Sequence, residues 1–119
     1  MANIHHSINY IEFPMLQDKV AETKIFYSQV FGWAFTDWGA AYISFSGADV
    51  EGGFNALDDA QVTPCGVLVV LYASDLAATL TRVTDAGGVV VKPTYEFPGG
   101  KRFHFQDPNG NELAVWSES

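Results

Sequence analysis

The 119-residue sequence is poor in cysteine, poor in basic side chains and without any apolar run long enough to cross a bilayer. Its single cysteine, Cys65, cannot close an internal disulfide, which predicts a reducing compartment. Cys65 has no Cys-x-x-Cys partner or adjacent histidine and is expected to be a small buried or strand-edge residue. Six basic residues face fourteen acidic ones, a formal net charge of −8 that repels nucleic-acid phosphates and anionic membrane surfaces alike. A spanning helix requires about 18 or more consecutive apolar residues. The opening Met1-Ala2-Asn3-Ile4-His5-His6 lacks the basic segment and apolar core of a secretory signal, which predicts a cytoplasmic protein. Its two histidines are adjacent, point apart on an extended segment and have no nearby carboxylate to complete a metal site. What is present is globular, with 48% hydrophobic and 17% charged residues in a length suited to one domain.

The chain divides into two similar halves. Ser7–Pro14 alternates apolar and polar residues at the strand period, and Asp18–Phe31 follows at helical spacing, closed by Gly32. Short strands are predicted at Trp33–Thr36, Ala41–Ser46 and Gly53–Leu57. The second half repeats this order: an apolar strand Gly66–Tyr72, a helix capped by Ser74 and running to about Ala86, then Val89–Lys92, Lys101–Gln106 and Glu112–Trp116. Asp75 is read as a helix-start residue and Asp107 as a turn residue. The order β-α-β-β-β occurs twice, so the expectation is an α+β fold of two βαβββ modules whose curved sheets enclose a cleft. The single domain would span 1–119, with module 1 at about 4–57, an acidic linker at about 58–64 and module 2 at about 65–119.

Five local sequences then combine. They are Phe26-Tyr27-Ser28-Gln29-Val30-Phe31-Gly32-Trp33; Gly52-Gly53-Phe54; Asp75-Leu76 with Gly87-Gly88; Phe97-Pro98-Gly99-Gly100-Lys101-Arg102-Phe103-His104-Phe105; and Asp107-Pro108-Asn109-Gly110-Asn111. In this order, over nearly the whole chain, they resemble the vicinal-oxygen-chelate superfamily of glyoxalases, bleomycin-resistance proteins and dioxygenases, and in particular its small single-domain glyoxalase-like members. The resemblance implies a paired βαβββ fold, a homodimer, and in many members a divalent metal held by His, His or Gln, and Glu.

Carried onto this chain, those ligand positions fall on Tyr10, near Leu68, around Gly53–Asn55, and on Ala114, seven residues after Asp107. None is a good ligand for a hard cation, so the usual metal site is expected to be absent. Strand alternation places Ile8 and Glu12 on the face of Tyr10, and the closing hairpin sets His104 opposite Ala114 and Gln106 opposite Glu112. Arg102, Trp116 and Tyr72 are expected on the His104 face, with Glu112 on the other. The candidate set is therefore Glu12 and His104 for acid–base work, and Tyr10, Tyr72, Arg102 and Trp116 for ligand contact. Each residue also has a structural account: Glu12 paired with Arg102 or a tyrosine hydroxyl, His104 a satisfied strand residue, Arg102 a solvated charge beside Lys101. Phe97-Pro98-Gly99-Gly100 is either a lid or a plain turn. Trp33, Phe35, Trp38, Tyr42 and Phe45 read as core or dimer surface, with Trp38 and Tyr42 able to floor a pocket.

The expected function is binding of a small organic molecule in the cleft without the usual divalent metal and with no other cofactor. Two alternatives stand beside it. One is a metal-dependent lyase or dioxygenase with a relocated site, such as His104 with Glu112 or Glu12. The other is a protein that sequesters a drug or metabolite without chemistry.

Overall fold

Alternation in the first strand is real but shorter than the pattern suggests. In the computed structural model, which describes residues 3–57, 61–62 and 66–118, strand β1 is Tyr10–Pro14. Ile8 lies before it, 77% exposed, and does not share the strand face expected of it. Cys65 and most of the expected linker lie outside the described residues.

Two compact units divide the chain, Met1–Val62 and Thr63–Ser119. In the first, β1 leads through a 3-10 turn, Gln17–Lys19, into helix α1, Val20–Phe31. Thr23, Phe26, Tyr27 and Val30 recur at helical spacing and are buried. Gly32, at φ 75°, ends the helix by returning its N–H to the Ser28 carbonyl, a left-handed cap that costs other residues energy. Strands β2 (Ala34–Asp37), β3 (Tyr42–Ser46) and β4 (Glu51–Asn55) complete a sheet ordered β1-β4-β3-β2, in which β1 pairs with β4 in parallel. On one sheet face Phe13, Ile43, Phe45 and Phe54 are buried, and the Tyr27 ring of α1 meets Phe54 at 5.0 Å. Trp33 stacks on both Tyr27 and Phe45, so this unit's core is chiefly aromatic. Each such ring contributes roughly 1.5–3 kcal/mol by leaving water.

The second unit repeats the order with β5 (Val69–Tyr72), α2 (Leu76–Asp85), β6 (Val89–Phe97), β7 (Gly100–Gln106) and β8 (Glu112–Ser117). Its sheet runs β5-β8-β7-β6, again with one parallel pair, β5 with β8. Asp75, not Ser74, caps α2: its carboxylate accepts the Ala78 N–H at 3.0 Å. Phe103, Phe105, Leu113 and Val115 are fully buried on one sheet face, and Leu76 and Val83 of the helix are buried too.

Strand β6 departs most from expectation. It extends through Pro93 to Phe97, although proline has no ladder donor. The sheet order makes β6 an edge strand, where that donor is not required. Its register against β7 shifts twice, between Val90 and Lys92 and between Lys92 and Tyr95, so β6 carries extra residues relative to its partner. Phe97 pairs with Gly100, leaving Pro98-Gly99 as a two-residue hairpin turn; this is the plain turn, not a lid.

The closing turn is tied from within. Asp107 N–H donates to the Asn111 carbonyl and Gly110 N–H to the Asp107 carbonyl, bracketing a three-residue loop. The Asp107 carboxylate also accepts the N–H groups of Asn109 and Asn111, each at 2.9 Å, and the Asn111 amide at 3.1 Å.

Candidate functional site

In both units one sheet face packs apolar side chains and the opposite face is polar and aromatic. The six predicted residues all lie on these polar faces: Tyr10 and Glu12 in the first unit, Tyr72, Arg102, His104 and Trp116 in the second.

In the first unit, β1 and β3 bring Tyr10, Glu12 and Tyr42 together across β4. The order of donors follows from chemistry. An ionised Glu12 only accepts, so the Tyr42 hydroxyl donates its one proton to Glu12 Oε1 at 2.9 Å. Tyr10 must then donate to the Tyr42 oxygen, at 2.7 Å. Asn55 Nδ2 reaches Glu12 Oε2 at 3.3 Å, its orientation set by Asn55 Oδ1 accepting the Leu57 N–H. Burial first, then the hydrogen bonds with Tyr10 and Glu12, hold the Tyr42 phenol above its ordinary titration range, so it keeps its proton. Gly53 makes the arrangement possible. A Cβ there would stand 2.6 Å from the Tyr42 hydroxyl and 2.7 Å from that of Tyr10. Trp38, 65% exposed, donates its indole N–H to Ser44 on the same face. Glu12 is thus satisfied by Tyr42 and Asn55, the tyrosine-hydroxyl account among those foreseen.

In the second unit, the closing hairpin has the expected register, with His104 opposite Ala114 and Gln106 opposite Glu112. The expectation that Glu112 lies on the other face is wrong. Residues 104 and 106 are two apart and share a face, so the partners of both share it too. Accordingly His104 Nδ1 meets Glu112 Oε2 at 2.8 Å. His104 is only 3% exposed, yet both ring nitrogens are engaged, since Nε2 meets the Tyr95 hydroxyl at 3.0 Å. The Arg102 Nε–H donates to that same hydroxyl, and the guanidinium lies over the rings of Tyr95 and Phe97 at 5.5 and 5.6 Å. Trp116, opposite Arg102 in the ladder, packs edge-on against Tyr72 and Phe97. Four of the six predicted residues therefore share this face, and two of them, Arg102 and His104, meet Tyr95, which the sequence pattern missed.

The donor set does not fit a divalent metal. Tyr10, Leu68 and Ala114 offer at most one phenol, and among the described residues no three His, Cys, Asp or Glu side chains gather. The relocated pair His104 and Glu112 is hydrogen-bonded to itself, supplying two donors where a stable site uses three or more.

The family model described as the Glyoxalase/Bleomycin resistance protein/Dioxygenase superfamily matches residues 7–115. No match to the chain was found among curated proteins. Among solved structures, a glyoxalase-related enzyme from Fulvimarina pelagi superposes with a TM-score of 0.78 at 18% identity, covering 94% of this chain and 88% of that one. A glyoxalase/bleomycin resistance protein/dioxygenase family enzyme from Burkholderia phytofirmans PsJN gives 0.79 at 15% identity, covering 95% and 99%. TnmS3, an antibiotic binding protein from Streptomyces sp. CB03234, gives 0.73 at 21% identity, covering 100% and 99%.

Proposed function

Because the chain belongs to the glyoxalase/bleomycin resistance protein/dioxygenase superfamily, we propose that it binds a small organic molecule on its polar sheet faces without a divalent metal. One observation carries this: the faces opposite the apolar cores hold pre-formed hydrogen-bond networks among aromatic walls, Tyr10-Tyr42-Glu12-Asn55 in one unit and Arg102-Tyr95-His104-Glu112 in the other. Such faces suit ligands that combine planar apolar surface with a few polar atoms. That TnmS3, with the same fold, is an antibiotic binding protein supports this reading.

On the first unit's face Glu12 exchanges protons with a ligand and Tyr10 contacts it; on the second unit's face His104 exchanges protons with a ligand, and Tyr72, Arg102 and Trp116 contact it. The protein is proposed to act as a cytoplasmic homodimer. A thermal-shift screen of planar aromatic metabolites and antibiotics tests the binding. Stabilising compounds are expected to lose their effect in Glu12→Gln or His104→Ala, and to keep it after exhaustive chelation. Stabilisation that chelation abolishes overturns the metal-free reading. Turnover of a bound compound, measured alongside, separates an enzyme from a sequestering protein.

A further inference from the structure

We propose that Tyr95 is a proton acceptor for an ionisable hydroxyl of the bound molecule, a phenol or enol, and that Arg102 holds the resulting oxyanion. This rests on the binding reading above and gives the second unit's face a ligand chemistry.

The proton inventory leads there. In the proposed state Glu112 accepts from His104 Nδ1–H, and the neutral tautomer that this bond selects turns its Nε2 lone pair toward Tyr95. Tyr95 donates its O–H to that lone pair and accepts from Arg102 Nε–H. One lone pair of the Tyr95 oxygen remains, so Tyr95 meets a ligand as an acceptor. Among the described residues no carboxylate pairs with Arg102, whose terminal nitrogens therefore remain as donors to an anion. The transfer balances. The ligand O–H bond breaks, its electron pair stays on the ligand oxygen, and the proton forms a new Tyr95 O–H. The proton that Tyr95 carried passes to His104 Nε2. The imidazolium is then opposed by Glu112 and the ligand oxyanion by Arg102. Lys92, opposite His104 in the ladder, Gln106, opposite Glu112, and Glu118, which accepts from the Tyr72 hydroxyl at 3.4 Å, are further polar groups at this face.

A second observation is independent of the hydrogen bonds. Without the register shift after Lys92, counting from the Lys92–His104 pair would set residue 94 opposite Arg102 and turn Tyr95 to the buried face. The shift pairs Tyr95 with Arg102 instead, and so aims the phenol at His104. Irregularities that re-aim one side chain are characteristic of working sites.

The test uses the full chain with para-nitrophenol, whose phenol and phenolate absorb at different wavelengths, and para-nitroanisole, which cannot ionise. Just below the pH at which free nitrophenol ionises, wild-type protein is expected to bind it as phenolate, raising its apparent acidity at least tenfold. Tyr95→Phe and His104→Gln are expected to leave bound nitrophenol protonated, with nitroanisole titrated in parallel to report how much binding each variant retains. Nitrophenol bound by wild type as the neutral phenol overturns the proposal while leaving small-molecule binding intact. Phenolate formation undiminished in Tyr95→Phe overturns it as well. Binding of neither probe overturns the proposal, and the screen described above judges the broader reading separately. Should a variant fail to fold, the wild-type spectrum still decides.

Discussion

At Gly53 the absence of one atom shapes a site. Replacing it with alanine would press a Cβ against two hydroxyls and the Ile43 carbonyl, the last 2.8 Å away and part of the backbone. Gly53→Ala is expected to cost about 1–3 kcal/mol of stability, read from urea denaturation, and to part Tyr10 from Tyr42. Tyr42 makes a prediction of its own. In the folded protein its phenol holds its proton past the ordinary value of 10.0, whereas in the unfolded chain it ionises there. Unfolding above that pH therefore releases a proton, so the contribution is complete below pH 10.0 and declines as pH rises further. Denaturation midpoints measured on either side of pH 10.0 are expected to fall with rising pH in wild type, and to fall less steeply in Tyr42→Phe. The Tyr10–Glu12 side of this cluster was legible because alternation within one strand needs no knowledge of neighbours. Tyr42 was recognised only as an aromatic able to floor a pocket; its contact with Glu12 depends on β4 lying between β1 and β3, which no local pattern states.

Among the elements, helices and hairpins were the most legible, because caps and turns are written in a few adjacent residues. Asp75 was identified as a helix-start residue, though Ser74 was named as the cap; Asp75→Ala is expected to cost about 1 kcal/mol in thermal or urea unfolding. Strand β6 was the least legible. The expected strand Val89–Lys92 stops short of Pro93, but on an edge strand proline interrupts no necessary bond, and the register shifts break the alternation from which faces are inferred. Tyr95 was hidden for that reason. Removing Thr94 would delete one residue between Lys92 and Tyr95 and is expected to turn the phenol away from His104, abolishing nitrophenol ionisation while the chain still folds; circular dichroism and the probe spectrum check both. Glu112 is a different case. The hairpin register, legible from the turn, by itself places Glu112 on the His104 face, because the partners of residues 104 and 106 share a face.

For the whole molecule, charge and composition set the behaviour in solution. With a net charge of −8 and a sequence isoelectric point near 4.5, solubility is expected to pass through a minimum as acidification toward that pH removes the repulsion between copies. The proposed dimer predicts a sedimentation mass of twice 13.0 kDa. Its family was legible from motif order alone, since the five local sequences recur at the positions where the repeated units turn and cap. The closing turn has one more bearing on the chain, on its ageing. Asn-Gly pairs deamidate when the glycine nitrogen attacks the asparagine amide, and in this turn that nitrogen is bonded to the Asp107 carbonyl while Asn109 is buried. The Asp107 carboxylate, by accepting the Asn109 and Asn111 N–H groups, ties that turn shut and acts as a chemical preservative: stored protein is expected by mass spectrometry to keep Asn109 intact, and Asp107→Ala, which keeps the carbonyl but loses the carboxylate that ties the turn, to lose ammonia there first.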